Sequence, residues 1–103
     1  MKGLFRITGV KDRAALGFGV TGFVLSGTLV LGMEDFANQL IIKEIRDCAD
    51  TEPLIAATKG DRCLLVLSDQ GAVLKKLEKQ TIEFSDMRTE PVNKTFILQP
   101  DVI

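Results

Sequence analysis

Apolar and polar positions along this 103-residue chain repeat with two periods, one of strands and one of helices. Leu4-Phe5-Arg6-Ile7-Thr8 reads as a first strand, ended by Gly9. From Lys11 to Phe23, apolar residues at Ala14, Ala15, Phe18 and Phe23 predict a short, glycine-weakened helix with Asp12 near its start. Thr28-Leu29-Val30-Leu31, bounded by Gly27 and Gly32, predicts a second strand. The clearest helical signal runs from Met33 to Cys48. There Met33, Phe36, Ala37, Leu40, Ile41, Ile45 and Cys48 fall on one stripe at spacings of three and four. Glu34 and Asp35 suit the start of such a helix, and Lys43 and Arg46 its end. Asp50 to Asp61 then reads as a connection containing Pro53 and Gly60.

Cys63-Leu64-Leu65-Val66-Leu67 is a continuous apolar run, the pattern of a strand covered on both faces as in a parallel sheet. Ser68-Asp69-Gln70 offers an N-cap for a further helix. Val73, Leu74, Leu77, Thr81 and Phe84 would form its inner face, with Lys75, Lys76, Glu78 and Lys79 outside. A polar stretch from Ser85 to Asn93 leads to a last strand, Thr95-Phe96-Ile97-Leu98, stopped by Pro100. The order β-α-β-α-β-α-β predicts an α/β fold: a small, open, mostly parallel sheet of about four strands with helices on both faces. Residues 1–103 are expected to form a single domain.

Composition narrows the chemistry. Apolar residues make up 46% of the chain and charged residues 26%, which argues for a globular domain rather than disorder. The formal net charge is −1, with no basic run to neutralise phosphates, so nucleic acid is not an expected partner. There is no His, and with it go the usual general base at neutral pH and the commonest metal ligand. Cys48 and Cys63 lack CxxC spacing and read as two reduced core thiols. Neither a cofactor nor a metal is expected. Ser26, Ser68 and Ser85 have no His to activate them, so Ser-His and Cys-His nucleophilic catalysis are excluded.

Ala14 to Met33 carries no charge over a length able to span a bilayer, and a small membrane-anchored protein is therefore one alternative. Its five glycines and its Ser26-Gly27-Thr28 cluster favour a soluble, cytoplasmic reading. Gly17-x-Gly19-x-x-Gly22 matches a dinucleotide fingerprint, but it does not directly follow a strand, and Glu34 and Asp35 come too early for the ribose-binding acid. Its glycines are read instead as sites of close packing on the sheet or on a partner. Asp69 would stand at the carboxyl end of a strand, where α/β sites form, and is read as a helix cap.

Phe5-Arg6-Ile7-Thr8-Gly9-Val10-Lys11-Asp12, followed by Leu16-Gly17-Phe18-Gly19-Val20-Thr21-Gly22-Phe23, resembles the N-terminus of the F-subunit of V-type and archaeal-type rotary ATPases. Leu64-Leu65-Val66-Leu67-Ser68-Asp69 resembles that family's third strand and following helix, and Phe96-Ile97-Leu98-Gln99-Pro100-Asp101 its last strand and turn. The resemblance implies a non-catalytic central-stalk component, cytoplasmic or peripheral to a membrane complex, that docks on a coiled-coil stalk protein and serves ion transport. A stand-alone regulatory or adaptor domain that binds a protein or small ligand is the other alternative. Gly17, Phe18, Gly22 and Phe23 are the candidate partner-interface residues. On this reading Gly22→Leu weakens partner binding and leaves the fold intact. The isolated protein is expected to show no nucleotide hydrolysis; turnover that tracks the chain through purification and vanishes in Asp69→Asn would overturn the non-enzyme reading.

Overall fold

The structure is a computed structural model and describes residues 1–68 and 72–86. Its frame is a long antiparallel hairpin made of β1 (Lys2–Asp12) and β2 (Phe18–Val30). β1 buries Phe5 and Ile7 and exposes Arg6 and Thr8, the period of two expected of a half-buried strand. β2 buries Val20, Gly22 and Val24 on the same principle. A single 3-10 turn, Ala14–Leu16, joins the two. Asp12 Oδ1 accepts the Ala14 N–H at 2.9 Å there. Gly17 closes the turn at φ 88°, ψ −154°, a region open to glycine alone.

The remaining elements are β3 (Glu34–Asp35), β4 (Leu40–Asp47), β5 (Pro53–Leu54), β6 (Ala56–Thr58), β7 (Arg62–Leu67), α1 (Ala72–Lys76) and β8 (Thr81–Ser85). Every ladder among them is antiparallel. Neighbours run β1-β8-β3-β4-β7-β2, and β2 pairs back with β1, so the sheet closes into a six-stranded barrel. β5 extends the flank of β4, and β6 that of β2. The interior holds Phe5, Ile7, Val20, Val24, Leu29, Met33, Leu40, Ile42, Ile45, Leu65, Leu67 and Phe84 in one cluster. Leu74 and Leu77, on and just after α1, join that cluster as the chain passes from β7 to β8.

The closed antiparallel barrel overturns the expected α/β fold with its mostly parallel sheet and flanking helices. The segment Met33 to Cys48 is a hairpin rather than a helix, and a bulge explains the false period. The register steps from Ile42↔Leu67 to Glu44↔Val66, leaving Lys43 as an extra residue in β4. Buried Leu40, Ile42 and Ile45 are therefore spaced two, then three, and the second step imitates a helical turn. The expected helix from Lys11 to Phe23 is the end of β1, the 3-10 turn and the start of β2. Gly22 hides the alternation, being a buried position with no side chain to register as apolar.

Ala14 to Met33 is largely β2, and among the described residues no helix is long and apolar enough to cross a membrane. The helix expected after Ser68 reduces to α1. Lys79 adopts φ 66°, which stops helical winding, and Thr81–Ser85 alternates exposed and buried residues as β8. The strands expected at Leu4 to Thr8, Thr28 to Leu31 and Cys63 to Leu67 fall on β1, β2 and β7, except that Leu31 lies in the turn after β2 and the ladders are antiparallel. Asp69 and the segment from Thr95 to Asp101 lie outside the described residues.

β1 and β2 approach closely where Gly22 faces Ile7, and a Cβ built on Gly22 would stand 1.9 Å from the Arg6 carbonyl oxygen. No rotamer relieves a clash with backbone, so Gly22→Leu is expected to destabilise the isolated domain by about 3 kcal/mol or more. Urea denaturation followed by far-UV circular dichroism checks this; an unchanged midpoint refutes it.

Candidate partner-binding surface

The four interface candidates from the sequence do not form one exposed patch. Gly22 is buried between strands and Gly17 serves the hairpin turn. Phe18 is half-buried and packs against the barrel core. Phe23 is half-buried on the outer face, and the Arg62 guanidinium lies 5.5 Å from its ring centroid. The glycine string therefore runs from the hairpin turn into β2 and precedes no helix, which removes the geometry of a dinucleotide loop. Gly22→Leu thus tests folding in this structure, not docking on an intact fold.

β7 is buried along its whole apolar run, as its sequence suggests. Leu64 belongs to its outer face: it is fully buried yet lies outside the core cluster. Its side chain rests against Gly19, where an added Cβ would meet Leu64 Cδ2 at 2.9 Å. Its cross-strand neighbour is Arg46. Arg46 and Arg13 both bind Asp50, with Arg13 Nε 2.8 Å from Asp50 Oδ2 and Arg46 Nε on Asp50 Oδ1. The Arg13 side chain is only 6% exposed and that of Asp50 13%, so this bridge ties the β1–β2 turn to the loop after β4 with little access for water. The Arg13 hydrogen bond, followed by that of Arg46, holds the Asp50 carboxyl below the usual carboxylate range. In return, Arg13 is raised by its bond to Asp50. Asp47 shapes the same loop, accepting the Thr51 and Glu52 N–H groups at 2.6 and 3.1 Å.

The two thiols differ. Cys48 is exposed, a correction to the reading of two core thiols, because β4 ends at Asp47 and the next residue enters the loop. Cys63 is buried in the barrel, and burial, with smaller contributions from Asp61 and Cys48, pushes its thiol up to about 12. Among the described residues no group of three His, Cys, Asp or Glu side chains is gathered to hold a metal ion.

Two surface features remain. The first is an apolar rim. β2 pairs with β6 through Leu29↔Ala57 and Val30↔Ala56, and the residues flanking that last rung are Leu31, in the turn after β2, and Ile55, in the bend before β6. Ile55 is 90% exposed and Leu31 53%. Lys43 and Glu44 of β4 supply exposed charge nearby, since Gly32 donates to the Ile42 carbonyl and Leu54 pairs with Ile45. The sequence pattern misses this rim because it places Leu31 in a strand and Ile55 in a connection. An isoleucine placed between Pro53 and Gly60, outside any amphipathic period, is the available signal.

The second is a cleft of about 200 Å³ between the β3–β4 turn and β8, lined by Asp35, Phe36, Ala37, Asn38, Thr81, Ile82, Glu83 and Ser85. Asp35 is buried and builds the turn: its Oδ1 accepts the Ala37 and Asn38 N–H groups at 3.1 and 3.4 Å, and its Oδ2 accepts Asn38 Nδ2 at 2.6 Å. Phe36 remains half exposed at the cleft wall. Comparison of the chain with protein-family models, curated proteins and solved structures finds no match.

Thiol reagents at pH 8 are expected to label Cys48 and to spare Cys63 in the native chain, with both labelled in denaturant; mass spectrometry after proteolysis reads the pattern. Equal native labelling of both sites contradicts the burial of Cys63. The pH response of Asp50 follows from its depressed value. Its contribution to stability is complete above its unfolded pKa of about 4 and disappears as pH falls through the lower folded value. Asp50→Asn should therefore lower the thermal midpoint at pH 7 and flatten its fall on acidification; parallel midpoint curves for variant and parent contradict this.

Proposed function

We propose that this chain is a non-catalytic binding domain that docks on a protein partner through the rim formed by Leu31 and Ile55. The observation that carries the reading is the pair itself: two large aliphatic side chains flanking the last rung of the β2–β6 ladder, left in water by a barrel that buries most of its other large aliphatics. Exposed apolar residues scattered singly need no explanation, whereas adjacent ones with charged neighbours have the composition of an interface core and its rim. The absence of His from the whole sequence, the buried neutral Cys63 thiol and the fully engaged Asp50 carboxylate support binding over catalysis. The coiled-coil stalk partner implied by the rotary-ATPase resemblance goes with a parallel α/β frame, which this chain does not have. The reading proposed is the broader one, a domain that works by holding another protein.

A photo-crosslinking amino acid at position 55, in the full chain in its native cell, should capture one protein in high yield, and Leu31→Asp in the same chain should abolish that product. The same probe at Lys75, exposed on α1, serves as control. Equal products from both positions, or none from position 55, reject the rim as a docking surface. Capture of a second copy would identify the partner as the chain itself.

A further inference from the structure

The barrel closes unevenly. β8 is laddered to β1 along its whole length, from Lys2↔Ser85 to Arg6↔Thr81. On its other side, among the described residues, it is laddered at one point only, Glu34↔Ser85. The direction of the peptide groups follows from the bonds around that ladder. Ile7 donates to the Gln80 carbonyl and accepts from the Lys79 N–H, both at 2.9 Å, and Met1 accepts from the Asp86 N–H at 3.3 Å. Peptide groups alternate sides along a strand, so Met1, Gly3, Phe5 and Ile7 address β8. By the same register Ile82, Phe84 and Asp86 address β1. Thr81 and Glu83 then direct their N–H and C=O groups the other way, into the cleft that their own residues line. Their spacing, two residues apart on one edge, is about 7 Å, the repeat of an added strand.

We propose that this open edge is a strand-addition site for an extended peptide segment of a partner, carrying a basic residue opposite Glu83 and an apolar residue against Phe36. An unpaired edge offers main-chain hydrogen bonds, and adjoining pockets read alternate side chains. Charge selects the basic residue: no cation lines the cleft, and Glu83 is the carboxylate of the lining that is exposed, that of Asp35 being buried and held by Ala37 and Asn38, while Arg6 reaches Thr81 Oγ1 at 3.5 Å from the β1 side. Lys2 Nζ reaches Glu83 Oε2 only at 4.0 Å, with both side chains more than half exposed, a pair that solvent screens and a bound cation displaces easily. Alternation supplies the apolar contact. Glu83 points outward while Ile82 is buried, so residues flanking the basic one turn toward Ile82 and the half-exposed ring of Phe36. This site shares no lining residue with the Leu31 and Ile55 rim, and each can fail without the other.

The test uses the full chain, labelled with ¹⁵N, and three synthetic hexapeptides with blocked ends: alternating Val and Lys, alternating Val and Glu, and the Val-Lys sequence N-methylated at every second residue. The Val-Lys peptide should shift the amide resonances of Thr81 and Glu83 and slow their hydrogen exchange. The Val-Glu peptide should bind at least about tenfold more weakly, from like-charge repulsion at Glu83. N-methylation, which removes donors and leaves charge, should abolish the protection. Glu83→Lys should reverse the preference between the first two peptides. The proposal is overturned by an absence of binding, by binding that leaves the Thr81 and Glu83 amides unchanged, or by equal affinity for the N-methylated peptide. A concentration-dependent dimer that protects the same two amides without peptide also overturns it, by making a second copy the occupant.

Discussion

The contact on which this fold depends is the close crossing of β1 and β2 at Gly22. These two strands alone supply the longest ladder of the barrel, and each reaches a further neighbour, β8 on one side and β7 on the other. A ring of six strands closes only if its sheet bends sharply somewhere. Two register shifts on this hairpin supply the bend, leaving Thr8 extra in β1 and Leu25 extra in β2. Between those two irregularities Gly22 lets the Arg6 carbonyl and the Phe5 ring occupy the space of a side chain. A larger residue there would separate the strands on which every other pairing is built.

The outer face of the barrel shows a second constraint, that a small domain has too little interior to bury all its aliphatic residues. β7 carries five apolar residues in succession, and only alternate ones can point inward. Leu64 is the outward one that is fully hidden, lying against Gly19 with Thr21 and Arg46 as its ladder neighbours. Asp50 joins the hairpin turn to the loop after β4 through Arg13 and Arg46, and the low exposure of Arg13 and Asp50 places the bridge where water competes little. Breaking one partner of such a bridge leaves a poorly solvated charge, so the bridge fixes the position of the loops more than it adds net stability.

Strands are legible in the sequence where alternation or a continuous apolar run survives: Leu4 to Thr8, Thr28 to Val30, Cys63 to Leu67. They are illegible where a bulge or a glycine breaks the period. Lys43, looped out of β4, converts strand spacing into helical spacing. Leu74, Leu77, Thr81 and Phe84 match a helical stripe although a left-handed Lys79 divides a short helix from a strand among them. The continuous apolar run of β7 reads rightly as a strand covered on both faces, and wrongly as a parallel one, because such a run reports burial and not direction. Of the candidate site, the apolar character of β2 is visible in the sequence, but its placement is not. Phe18 and Gly22 face inward as packing, while Leu31 and Ile55, two of the exposed aliphatics, come from connections that only the β2–β6 ladder brings together at its end.

The seam at β8 follows from one side chain. A hairpin of ordinary length would have continued β3 along β8 and sealed the ring with several ladder rungs. Instead the Asp35 carboxylate takes the N–H groups of Ala37 and Asn38 and the amide of Asn38, turning the chain after a strand of two residues. Asp35 is buried by the turn it makes, and those bonds compensate the cost of taking its carboxylate out of water. The turn therefore satisfies itself and has no rungs left to offer β8. Its consequence lies across the cleft, where, among the described residues, Thr81 and Glu83 have no strand paired to their second edge. A barrel removes edges by closing, and among the described residues this one is joined at β8 and β3 by a single rung, beside the two-residue strand that the turn cuts short.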